Sequence, residues 1–105
     1  SPGAAACPVA GGWLDREGRP MPGRDALAHA AGGRVLLLGE QHATVAHHLW
    51  QRDMLAALAD RGPLVIGLEQ LPRGAQPALD RWVAGETDEA QFLAESRWAE
   101  LWGHD

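Results

Sequence analysis

Six residues of this chain have types and spacing that suit chemistry: Glu40, His42, His47, His48, Gln51 and Glu69. Carboxylate with imidazole is a ligand set for divalent zinc, manganese or iron. The same groups serve as general acids and bases. Three of the chain's five histidines fall between Glu40 and Gln51. Each glutamate follows a short apolar run, "VLLL" before Gly39-Glu40 and "LVIGL" before Glu69. A carboxylate at the end of a buried strand is costly unless it has a partner, which must be a cation, an arginine, a helix N-terminus or a shared proton. Arg73 stands near enough in sequence to serve Glu69. Taken singly, each glutamate reads equally well as a helix cap or an arginine partner. Taken together, with His42 two residues after Glu40, they read as a site, because perturbed acids cluster at functional sites.

The elements that must position these residues can be read around them. "RVLLLG" is a short apolar run bounded by glycines, which fits a strand buried on both faces. Thr44 is a plausible cap for a helix over roughly 45–60, closed by Arg61-Gly62-Pro63. "LVIGLE" repeats the strand pattern. Strand, helix and strand within one short segment predict an α/β chain built on a βαβ unit, with parallel strands and a right-handed crossover. Such sheets bind ligands outside the carboxyl ends of their strands, and that is where Glu40 and Glu69 stand. At about 100° per residue, His47, Trp50, Gln51, Met54, Leu55 and Leu58 share one broad helix face. His47 and Gln51 are its polar members, both in the half of the helix beside the strand ends. Glu40, His42, His47, Gln51 and Glu69 can therefore converge from three elements, with His48 turned to the flank.

The rest of the chain is read in outline. Residues 1–12, rich in Pro, Gly and Ala, form a disordered lead-in. "WLDREGRPMPGR" carries hairpin turn chemistry, and Asp25 fits the cap of a short helix ending at Gly32-Gly33. After Pro72 the pattern is helical, with Pro77 in a first turn, Thr87 as a further cap, and Gly103 as a stop. A parallel sheet needs cover on both faces and normally more than two strands. Only two strong strands are present, so residues 13–105 are expected to form the N-terminal part of a larger α/β domain, or to dimerise.

Composition narrows the function. The formal charge is −5 and lysine and tyrosine are absent. An acidic chain without a basic run argues against nucleic acid as the partner. The single cysteine, Cys7, excludes an intrachain disulfide. Small residues precede it, as at a bacterial lipoprotein cleavage site, although the apolar and basic parts of a signal peptide are missing. No P-loop and no GxGxxG motif occur. Neither serine sits in a nucleophile elbow.

From Trp13 to Asp105 the chain resembles the ChaN-like haem-binding lipoproteins of bacterial iron uptake. The likeness rests on Gly39-Glu40-x-His42, His47-His48, Gln51, Glu69, Gln76-Pro77 and Trp98 to Trp102-Gly103. That family is related to Tiki proteases and erythromycin-esterase-like enzymes. The resemblance implies haem as cofactor and partner, and Glu40, His42, His47, His48, Gln51 and Glu69 as positions of the binding site. It also implies a homodimer and a place in the bacterial cell envelope through a lipid anchor at Cys7. Haem in the family is ligated by a tyrosine, which this chain lacks. An alternative is a metal-dependent hydrolase of the Tiki or erythromycin-esterase type, with Glu40, His42 and Glu69 holding a divalent ion or a water. Haem requires a broad apolar surface, an axial ligand and cations for its propionates. The tryptophans and arginines are available for two of these, although large aromatics at helical spacing belong more often to a core.

Overall fold

The computed structural model describes residues 7–103. It divides into two compact units, Ser1–Leu64 and Val65–Asp105. Residues 1–6 of the expected lead-in lie outside the described residues, as do His104 and Asp105. Residues 7–12 are exposed and contain one turn, closed by the Gly12 amide on the Val9 carbonyl at 2.8 Å.

In the first unit, β1 (Trp13–Leu14) and β2 (Pro20–Met21) form the expected hairpin. They are antiparallel, with Trp13 opposite Met21 and Leu14 opposite Pro20. Asp15 organises the loop between them. Its Oδ1 accepts the backbone N–H of Glu17 and of Arg19, each at 2.9 Å, and its Oδ2 meets Arg19 Nε at 3.2 Å. Gly18 takes a φ of +79°, which a residue with a Cβ adopts only at a cost.

Helix α1 (Gly23–Ala31) starts after Pro22, three residues earlier than a cap at Asp25 would place it. Asp25 instead lies in the first turn, where its charge suits the positive end of the helix. Helix α2 (Val45–Ala59) has the expected bounds and buries Met54 and Leu58. Burial of two such side chains contributes about 1.5–3 kcal/mol each. Thr44 holds the capping position without the capping bond. Its hydroxyl donates to Gln41 Oε1 at 3.3 Å.

The two apolar runs depart from expectation. Among the described residues, 35–38 and 64–68 carry no strand pairing, and the only sheet is the β1–β2 hairpin. The expected parallel unit is therefore absent here. A strand is stabilised by the neighbour it hydrogen-bonds to, and these runs have none. Val35 is 80% exposed, Leu37 87%, and Val65 fully exposed. The apolar pattern specifies burial without supplying the partner that would provide it.

The second unit is helical. A 3₁₀ turn (Arg73–Ala75) leads into α3 (Gln76–Val83), with Pro77 in its first turn as the sequence predicts. Gly85, at φ +77°, ends α3, and the Glu86 N–H reaches back to the Arg81 carbonyl at 2.9 Å. Helix α4 (Glu89–Glu95) is capped by Asp88, not Thr87. The Gln91 amide donates to Asp88 Oδ1 at 2.7 Å, and the Asp88 amide donates to Gln91 Oε1 at 2.9 Å, a complete capping box. The single helix expected up to Gly103 is broken at Arg97, whose φ is +57°, and resumes as α5 (Trp98–Leu101). Phe92, 3% exposed, stacks on Trp82 with centroids 4.5 Å apart and forms the centre of this unit with Ala75, Ala78 and Ser96. Arg81 Nη2 meets Glu95 Oε2 at 2.6 Å, tying α3 to α4.

Candidate functional site

The chain from Gly39 to Thr44 leaves the first apolar run and turns back into α2, and two bonds from α2 fix that turn. Gln51 Nε2 donates to the Leu38 carbonyl at 3.0 Å and lies 3.4 Å from the Gly39 carbonyl. The Gln41 backbone N–H donates to His47 Nδ1 at 2.9 Å. His47 and Gln51, the two polar members of an otherwise apolar face, are thus the residues through which the helix holds the turn. Their convergence with Glu40 and His42 was expected from helix periodicity, and the hydrogen bonds supply its cause.

Glu40 lies between two imidazoles, and its side chain is only 6% exposed. His48 Nε2 is 2.5 Å from Glu40 Oε2. His42 Nδ1 is 4.0 Å from Glu40 Oε1. His48 was expected on the flank, yet it makes the closer contact. Its ring does leave the helix beside the main buried face, but the turn brings Glu40 back to meet it. His42 keeps 43% of its side chain exposed.

Gly39, Glu40, His47 and Trp50 bound an open hollow of about 330 Å³. This is at the small end of ligand sites. Trp50 packs against Trp13 of β1, with ring centroids 5.9 Å apart and planes tilted by 38°. The hairpin thereby supports the indole that forms the apolar wall. Gly39 was read from sequence as part of the Gly39-Glu40-x-His42 pattern, and it stands at the hollow. Trp50, three residues after His47, was weighed with the other tryptophans both as core and as apolar surface for a ligand, and it bounds the hollow.

Glu69 belongs to the second unit, exposed on the turn after Leu68. Among the described residues no ion pair joins it to Arg73, the partner considered from sequence. No group of three or more His, Cys, Asp or Glu among the described residues stands in an arrangement that would hold a metal ion.

The fit to haem can be judged on these residues. The hollow offers one apolar aromatic wall, suited to an edge of the macrocycle. His42 offers an imidazole, the commonest protein ligand of haem iron alongside thiolate, thioether and phenolate. His42 and His48 both lie against Glu40, and His47 Nδ1 accepts a backbone amide. The turn and α2 thus carry imidazoles and an indole, groups of the kinds haem takes, beside a hollow too small to enclose it.

No curated protein and no solved structure matches the chain. The model of a family described as haem-binding uptake, Tiki superfamily, ChaN matches residues 26–105. That span takes in the turn, α2, Glu69 and the whole helical unit. A turn bearing Glu40 and His42, pinned by His47 and Gln51 across an indole-walled hollow, is thus set within a family match covering most of the sequence, and the chain belongs to the ChaN family of haem-binding uptake proteins in the Tiki superfamily.

Proposed function

We propose that this chain binds haem in bacterial haem and iron uptake, with the turn 39–44 and the first half of α2 as the haem-facing surface. The observation that carries the reading is the family match over residues 26–105, with the hollow formed by Gly39, Glu40, His47 and Trp50, and His42 beside it at Glu40, as the surface to test. His42 is assigned to the iron. Glu40 and Gln51 organise the turn, and Trp50 provides the apolar contact. When bound, haem supplies a redox-active iron; the chain's residues bind and orient it.

Several further features go with this reading. Cys7 is exposed, as a lipid-anchored residue at the cell envelope would be. The runs 35–38 and 64–68, exposed except at Leu38, have the composition of parallel strands and would gain a strand–helix–strand arrangement with further sheet partners. A homodimer is one way to cover them.

One observation favours a second reading. A carboxylate against an imidazole, as in Glu40 and His48, is also how metal-site histidines are oriented. In a hydrolase of the Tiki or erythromycin-esterase type, Glu40, His42 and Glu69 would hold a divalent ion or position a water. Haemin titration separates the two. The haem reading expects a saturable Soret band that moves or is lost in His42→Ala. Divalent-metal-dependent hydrolysis, lost in Glu40→Gln and unaccompanied by a Soret band, would establish the hydrolase instead.

A further inference from the structure

The hydrogen bond that pins the turn to α2 also bears on what the hollow can hold. A backbone N–H can only donate, so His47 Nδ1, 2.9 Å from the Gln41 nitrogen, must be the accepting nitrogen of its ring. The ring proton then sits on Nε2, because the partner of one nitrogen sets the role of the other. Among the described residues His47 Nε2 makes no hydrogen bond, and the ring bounds the hollow with the Trp50 indole. His47 therefore has a donor to offer a ligand and no acceptor.

Charge narrows the ligand further. Of the four residues that bound the hollow, Glu40 is the charged one, and its side chain is 6% exposed. An anion would meet that carboxylate with no cation beside it to offset the repulsion. A cation would need the carboxylate oxygens, which His48 Nε2 and His42 Nδ1 already approach at 2.5 and 4.0 Å. An uncharged ligand remains, with an oxygen to accept from Nε2–H and an apolar face to lie on the indole. A hollow of about 330 Å³ takes one ring of that kind and not a macrocycle. A pyranose has this form, with hydroxyl groups around its edge and C–H groups on its faces.

Going beyond the haem reading and independent of it, we propose that the hollow binds a neutral hydroxylated ring of monosaccharide size. The Trp50 indole packs on its C–H face, and His47 Nε2–H donates to one of its hydroxyl oxygens.

Three probes share one ring and differ in charge: methyl glucoside is neutral, glucosamine is a cation and glucuronate is an anion. Each is titrated into the full isotopically labelled chain. Methyl glucoside should give saturable millimolar shifts at the amides of Gly39 to Gln41 and at the Trp50 indole N–H. Both charged rings should bind more weakly. His47→Phe should weaken methyl glucoside about fivefold, the loss of one hydrogen bond. His47→Gln should recover most of that, since its amide can accept from Gln41 and still donate. Gln51→Ala loosens the same turn but keeps the donor, so it should weaken binding less than His47→Phe does. Tighter binding of glucosamine or of glucuronate would overturn the assignment of a neutral ligand. Unchanged affinity in His47→Phe, or no saturable shift with methyl glucoside, would overturn the site. Either failure leaves the haem reading standing, because haemin titration without sugar decides that separately.

Discussion

Gln51→Ala isolates the bond that fixes the turn to α2. Gln51 Nε2 lies 3.0 Å from the Leu38 carbonyl and 3.4 Å from that of Gly39, so only the first is within the range of a strong N–H···O bond. One such bond contributes about 1 kcal/mol net. Alanine is the better helix former by a few tenths of a kcal/mol, so α2 itself is not weakened. The deficit falls on the turn, and 1 kcal/mol raises its opening equilibrium about fivefold. The Gln41 amide reports that opening, because it is held only while the turn sits against His47. Amide hydrogen exchange followed by NMR should show Gln41 exchanging about fivefold faster in Gln51→Ala, with the amides around Met54 and Leu58 little changed. Arg52→Ala is the control, since Arg52 pairs with its neighbour Asp53 on the exposed side of the helix. Equal Gln41 exchange in the wild type and Gln51→Ala would refute the idea that this side chain holds the site together. A fivefold effect in Arg52→Ala would do the same.

The remaining predictions concern the supporting structure. Phe92→Ala removes the stacked centre of the helical unit and should cost about 3–5 kcal/mol, read by urea denaturation with the near-ultraviolet circular dichroism of Trp82. Asp88→Ala removes one half of the capping box and should cost about 1 kcal/mol, seen as faster amide exchange in the first turn of α4. The backbone amide of Arg19, with that of Glu17 and the Arg19 guanidinium, holds the Asp15 carboxyl below its ordinary value. A lowered folded value means that its contribution to the hairpin is full above the ordinary carboxylate range and is lost as pH falls through the depressed value. The Arg19 amide resonance should therefore titrate below that range in the wild type and lose the transition in Asp15→Asn.

The legibility of the sequence depended on whether a feature is set within one element or between two. Helix α2 was legible because its apolar spacing, the Thr44 position and the Arg61-Gly62-Pro63 stop all lie along one segment. The same holds for the hairpin and for Pro77. The cap of α4 was misplaced by one residue because Thr87 and Asp88 are both capping types, and Gln91, three residues after Asp88, was the deciding signal. The break at Arg97 had no signal, since arginine is a good helix former and its left-handed backbone gives no mark in composition. The runs at 35–38 and 64–68 show that apolar patterning states a need for cover without naming what meets it. His48 was set aside on helix periodicity alone, and only the path of the turn could bring Glu40 to it. The pairing of Gln41 with His47 was equally hidden, because the donor is a backbone amide that no side-chain pattern reveals.

Zinc protoporphyrin, a diamagnetic analogue of haem, allows the central claim to be tested residue by residue. Titrated into the isotopically labelled chain, it should perturb the amides of Gly39 to Thr44 and the first two turns of α2, together with the Trp50 indole N–H. Saturable shifts confined to residues 65–103, or no saturable shifts at all, would contradict the assignment of haem to this turn.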